Sequence, residues 1–268
     1  MWNSILQIDE GGGDMVATST VDASNLVLLQ DGSTISSNSN LGVHGQGFFQ
    51  LKGQGDALKA QRLFVSLFYN VNIGPKAVLQ APLTDDDTKN EVGSLYCDQT
   101  TCPIEITQPP EDCNLNTSLP FTLQICRVED VVVDGYVEGS VVHIHRARTV
   151  TINEGGLVTA SGRGCQGGIG KGELSRTGAS GGAGHGGQGG KGYFNGSSLL
   201  PCELGSGSGN ATADQRTSGG GVIVIGSLEH ALSSLRILGA VTSDGESFYS
   251  QNQSAGVGGG SVSFREWL

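Results

Sequence analysis

The chain has 268 residues, 37% of them hydrophobic, 6% aromatic and 15% charged, and 44 are glycine. That composition suits one large all-β or solenoid domain with a thin core, and it excludes a coiled coil or a highly charged disordered segment. Fifteen basic against 26 acidic residues leave a formal net charge of −11, which repels a phosphate backbone and argues against a nucleic-acid partner.

Along the chain, short β-rich runs alternate with Gly, Asn and Asp turns. Ile5 to Ile8 opens as an apolar run. Leu26 to Leu29 is followed by Asp31-Gly32, and Thr34-Ile35 by Asn38 to Asn40. Asp56 to Leu63 is the one stretch with the look of a helical turn. Leu63 to Phe68 then leads to Asn70 to Gly74. Residues 82–120 form an irregular excursion that carries three cysteines and the acidic run Asp85-Asp86-Asp87.

After Val131 to Val133 and its turn at Asp134-Gly135, the pattern sharpens into Val141 to Ile144, Thr149 to Ile152 and Leu157 to Ala160, starting about eight residues apart. A glycine tract over 155–192 precedes the apolar run Val222 to Ile225. Glycine there builds no core but allows tight turns and close backbone stacking. The expected fold is all-β, a parallel β-helix or β-solenoid with glycine-rich turns and a disulfide-braced insertion, stacked from about Val131 to Val241. The expected parts are 1–81 (β-solenoid-like), 82–126 (Cys-rich insertion) and 127–268 (glycine-rich β-solenoid-like).

Six cysteines, Cys97, Cys102, Cys113, Cys126, Cys165 and Cys202, suggest disulfides in an oxidising compartment, with the pairing open. Their spacing lacks the paired short knuckles of a zinc site. The sequons at Asn116, Asn195, Asn210 and Asn252 agree with secretion. No stretch approaches the length of a membrane span, and the start lacks the basic and apolar regions of a signal peptide.

No spacing of nucleophile, base and orienter stands out, and no motif asks for a cofactor. Residues 162–167 match G-x-G-x-x-G but lead into more glycine rather than into a helix. His143 and His145, two apart on a strand, share a face and with Arg146 form a candidate binding site for a metal ion or a substrate oxygen. With no third ligand in view, a solvated strand edge decorated by His and Arg is the expected reading. The acidic clusters at Asp85-Asp86-Asp87 and at Asp9, Glu10 and Asp14 read as solvated loops.

The wording of six segments adds a resemblance: 40–47 (NLGVHGQG), 109–113 (PPEDC), 123–130 (LQICRVED), 138–149 (EGSVVHIHRART), 200–209 (LPCELGSGSG) and 226–235 (GSLEHALSSL). Together they resemble a family of large glycine-rich plant cell-surface proteins of uncharacterised function, and the resemblance covers nearly the whole chain. It implies a long surface protein with a signal peptide, an extended β-rich ectodomain and membrane-spanning segments outside this sequence. This chain would be a middle piece of that ectodomain. A shortened stretch around Tyr193 to Ser198 and the ending at Trp267-Leu268 depart from the family pattern, as a truncated gene model or splice form would.

The expected function is a non-catalytic extracellular module, structural or ligand-binding, with cell-wall polysaccharide or another surface protein as partner. Two alternatives are a polysaccharide lyase or hydrolase on a parallel β-helix and an intracellular glycine-rich scaffold. The lyase or hydrolase would need clustered carboxylates on one face, which the scattered acidic residues do not suggest.

Overall fold

A computed structural model describes residues 1–9, 18–83, 113, 121–165, 204–205, 218–227 and 229–246, together with the backbone of 249–250, 253–254 and 261–264. The described residues contain strands and no helix. In chain order the strands are β1 (Ile5–Ile8), β2 (Thr18–Ala23), β3 (Leu26–Leu29), β4 (Thr34–Gly45), β5 (Phe48–Leu51), β6 (Ala57–Ser66), β7 (Asn70–Ile73), β8 (Val78–Ala81) and β9 (Leu123–Val133). They continue as β10 (Tyr136–Gly139), β11 (Val141–Ile152), β12 (Leu157–Thr159), β13 (Val222–Ile225), β14 (Ser234–Ile237), β15 (Ala240–Thr242), β16 (Tyr249–Ser250), β17 (Gln253–Ser254) and β18 (Ser261–Phe264).

Apart from the antiparallel pair β16 and β17, every pairing between these strands is parallel, and the pairings sort into three ladders. The first runs β1, β4, β6, β8, β10, β12, β15. The second runs β2, β4, β6, β9, β11, β13, β18. The third runs β3, β5, β7, β9, β11, β14. The chain visits the first, second and third ladder in turn and then returns to the first. The long strands β4, β6, β9 and β11 each serve two ladders. This parallel order extends well beyond the expected Val131 to Val241. Asp56 to Leu63 is no helical turn, since β6 takes Ala57 to Ser66.

Alternate side chains point inward from all three ladders. Leu41, Leu63, Leu123, Val142 and Ile223 form one row of the second ladder, and Phe49, Val71, Val131 and Val150 one row of the third; all are buried. The second ladder is covered on its outer face as well, where Phe64, Gln124, His143 and Val224 stand in one buried row. Burial on both faces explains why Val222 to Ile225 reads as an unbroken apolar run.

The turn from the third ladder back to the first is built on glycine for a steric reason. A Cβ on Gly135 would lie 2.4 Å from the carbonyl oxygen of Gly74 in the preceding circuit, and one on Gly239 would lie 2.2 Å from that of Gly156. Backbone stacks directly on backbone there. The turn at Gly32 is further held by Asp56, buried, whose carboxylate accepts hydrogen bonds from the N–H groups of Gly32 (3.0 Å), Ser33 (2.9 Å) and Gly53 (2.9 Å).

The long interruptions 9–17, 82–122, 160–221 and 243–260 all fall between a first-ladder strand and the next second-ladder strand. The excursion over 82–122 is tied down where it returns, because Cys113 is bonded to Cys126 in β9 with 5.7 Å between Cα atoms. Cys165 is disulfide-bonded too. Cys97, Cys102, Cys202, the four sequons and the run Asp85-Asp86-Asp87 lie outside the described residues.

Candidate functional site

His143 and His145 do share one face of β11, but neither reading made from the sequence holds. Both are buried, with 0% and 1% exposure, so the face is no solvated edge and no open groove. The ring of His143 stacks on Phe121, 4.6 Å between centroids, and on His145 at 5.4 Å; His145 in turn meets His230 at 5.9 Å. Phe121 belongs to the returning excursion, which is why strand alternation alone could not reveal the cover. Burial pushes the His143 imidazole down to about 3, a charge on His145 would push the same way, and the nearby Gly226 backbone opposes them. The ring is therefore neutral at ordinary pH. Among the described residues no group of three or more His, Cys, Asp or Glu is arranged to hold a metal ion.

Asp22, His44 and Ser66 stand opposite one another on β2, β4 and β6. His44 Nδ1 lies 2.6 Å from Ser66 Oγ, within reach for a base and a nucleophile. Ser66 is 1% exposed, however, and a substrate carbonyl has no path to its oxygen. The contact satisfies the buried Ser66 hydroxyl against a half-buried His44.

Arg146 leads elsewhere. It stands just past the second-ladder segment of β11, where the chain bends toward the third ladder, and its φ is +54°. The equivalent place in the two preceding circuits holds Leu67 (+68°) and Arg127 (+56°). This corner therefore demands a left-handed residue in each, and in all three circuits it carries a bulky side chain at the usual local cost. Two recesses adjoin it. One, of about 250 Å3, is lined by Gln46, Leu67, Tyr69, Arg127, Glu129 and Arg146 among others. The other, of about 520 Å3, adds Asp22, Ser24 and His44 and shares Gln46 and Leu67.

Aromatic surface borders the recesses. Tyr69 is 53% exposed and meets Phe48, 51% exposed, edge to face at 6.2 Å. Leu26, opposite Phe48 in the ladder, is 52% exposed. The platform is rigidly mounted: Tyr69 N donates to Gly47 O at 2.7 Å, and Tyr69 O accepts from Glu129 and Asp130 N–H groups. Beside it, Arg148 Nε donates to Glu129 (2.7 Å), Arg148 Nη2 donates to both oxygens of Asp130 (2.8 and 2.9 Å), and Thr149 Oγ1 donates to Asp130 (2.6 Å). The Glu129 hydrogen bond first, then the Asp130 charge, raises Arg148 above the ordinary guanidinium value.

Of the expected binding residues, the structure thus keeps His143 and His145 in the interior and sends Arg146 to a different surface with partners that the sequence did not flag. Phe48, Tyr69, Arg127 and Glu129 were missed. Phe48-Phe49 and Leu67-Phe68-Tyr69 read as core because half of each string is core: Phe49 and Phe68 are buried and pack at 5.5 Å.

Comparison of the chain with protein families, curated proteins and solved structures finds no match.

Proposed function

We propose that the chain is a non-catalytic extracellular module, coiled as a parallel β-solenoid, that binds an extended polysaccharide along the corner between its second and third ladders. The observation that carries this reading is the half-exposed pair Phe48 and Tyr69 on a rigid ladder, beside a polar recess. Exposed aromatic faces offer a sugar ring its C–H surface, and neighbouring Gln, Glu and Arg groups can meet its hydroxyls. The regular return of the chain to each ladder supports the coil. The disulfide between Cys113 and Cys126 supports an oxidising compartment.

Support for binding over cleavage comes from the acidic residues of the ladders. Glu129 and Asp130 are engaged by Arg148, and Glu138 by Arg163 at 3.1 Å, rather than facing one another as an acid and base pair. A glycan array probed with the secreted chain tests the reading. Retention of extended plant polysaccharides without their shortening is expected; an array without signal, or release of oligosaccharides, would overturn it.

A further inference from the structure

Resting on that reading of the corner, we infer that its ligand is a carboxylate-bearing polysaccharide, built from uronic acids, whose carboxylates are held by Arg127 and Arg146. The two arginines line one recess together with Tyr69. They occupy equivalent places in successive circuits, because the flanking residues pair as Cys126 with His145 and Val128 with Ala147. Their backbones are therefore one ladder step apart, roughly 4.8 Å, close to the length of one pyranose in an extended chain. A polymer laid along the corner would present successive sugars to successive arginines.

The chemistry of the side chain points the same way. A guanidinium offers a planar fork that matches a carboxylate bidentately, whereas a neutral sugar hydroxyl uses only part of it. Both arginines sit at a left-handed backbone position that the circuit before Arg127 fills with Leu67, so the corner's geometry does not itself call for a cationic side chain. The net charge of −11 repels polyanions at long range, so capture must come from short-range pairing, which separates a uronic-acid polymer from a denser sulfated one.

The test is calorimetric titration of the intact chain with unesterified polygalacturonan, the same polymer methyl-esterified, a neutral glucan and dextran sulfate. Unesterified polymer should bind at least tenfold tighter than the esterified form. Combining Arg127→Gln with Arg146→Gln should erase that preference while circular dichroism and Tm stay unchanged, and the two Lys variants should restore part of it. Equal binding of esterified and unesterified polymer, weakened by Tyr69→Ala but not by the arginine changes, would end the carboxylate assignment and leave the saccharide reading standing. Dextran sulfate bound as tightly as polygalacturonan would also end it, as mere charge attraction. Binding of none of the polymers would overturn both.

Discussion

The ring of His143 lies 4.6 Å from that of Phe121, with 13° between their planes, and this stack turns a surface-looking histidine into part of the interior. Its folded form resists protonation, being held near 3 against 6.5 for an unperturbed imidazole. Below pH 6.5 the unfolded chain takes up the proton and the folded chain does not. The contribution of His143 to stability is therefore complete above pH 6.5 and declines as pH falls toward 3, by up to about 1.4 kcal/mol per pH unit. His143→Phe should change stability by less than about 1.5 kcal/mol at pH 7.5 and flatten the acid limb of a Tm-against-pH curve. Parallel curves for the two proteins would show that the ring is hydrated in solution.

The disulfide between Cys113 and Cys126 fastens the returning excursion next to His145, the ladder partner of Cys126. Its removal by the paired changes Cys113→Ser and Cys126→Ser should cost about 2–4 kcal/mol in denaturant unfolding. Amide exchange in Leu123 to Cys126 should also rise. Protection unchanged from the parent would mean that Phe121 is held in place by other contacts.

Glycine at the third corner is a matter of space rather than of flexibility. Gly135→Ala would drive its Cβ against the Gly74 carbonyl, whereas at Gly53 the nearest atom to a Cβ is 3.7 Å away. The first change should cost more than about 3 kcal/mol and the second less than about 1 kcal/mol. Equal Tm values for the two variants would contradict the stacking.

Part of this was legible in the sequence. Val141 to Ile144, Thr149 to Ile152 and Leu157 to Ala160 announce themselves as strands, and their spacing of about eight residues is the step from one ladder to the next. Partners were harder to read, because a parallel neighbour lies a whole circuit away: Val137 pairs with Leu79 across the entire excursion. Ala57 to Leu63 has helix-forming residues, Ala, Leu, Lys, Gln and Arg, yet parallel ladder bonds to β4, β8 and β9 decide its conformation. Alternation correctly put His143 and His145 on one face. Whether that face is open depends on Phe121, which arrives from another circuit.

Asp56 illustrates a role that composition hides. Its carboxylate serves three backbone N–H groups in two neighbouring turns. Asp56→Asn keeps one acceptor oxygen but turns an amide N–H toward donors, and should destabilise by about 2–3 kcal/mol in chemical denaturation. A variant as stable as the parent would mean that water replaces the carboxylate there.

The corner carrying Phe48 and Tyr69 is the heart of the functional account, and the affinity of the double variant Phe48→Ala with Tyr69→Ala for an extended polysaccharide tests it most directly. Both side chains are about half exposed, so the fold and Tm should be kept while affinity falls more than tenfold, in line with the loss of two stacking faces. Affinity equal to that of the parent chain, with the fold intact, would contradict the account.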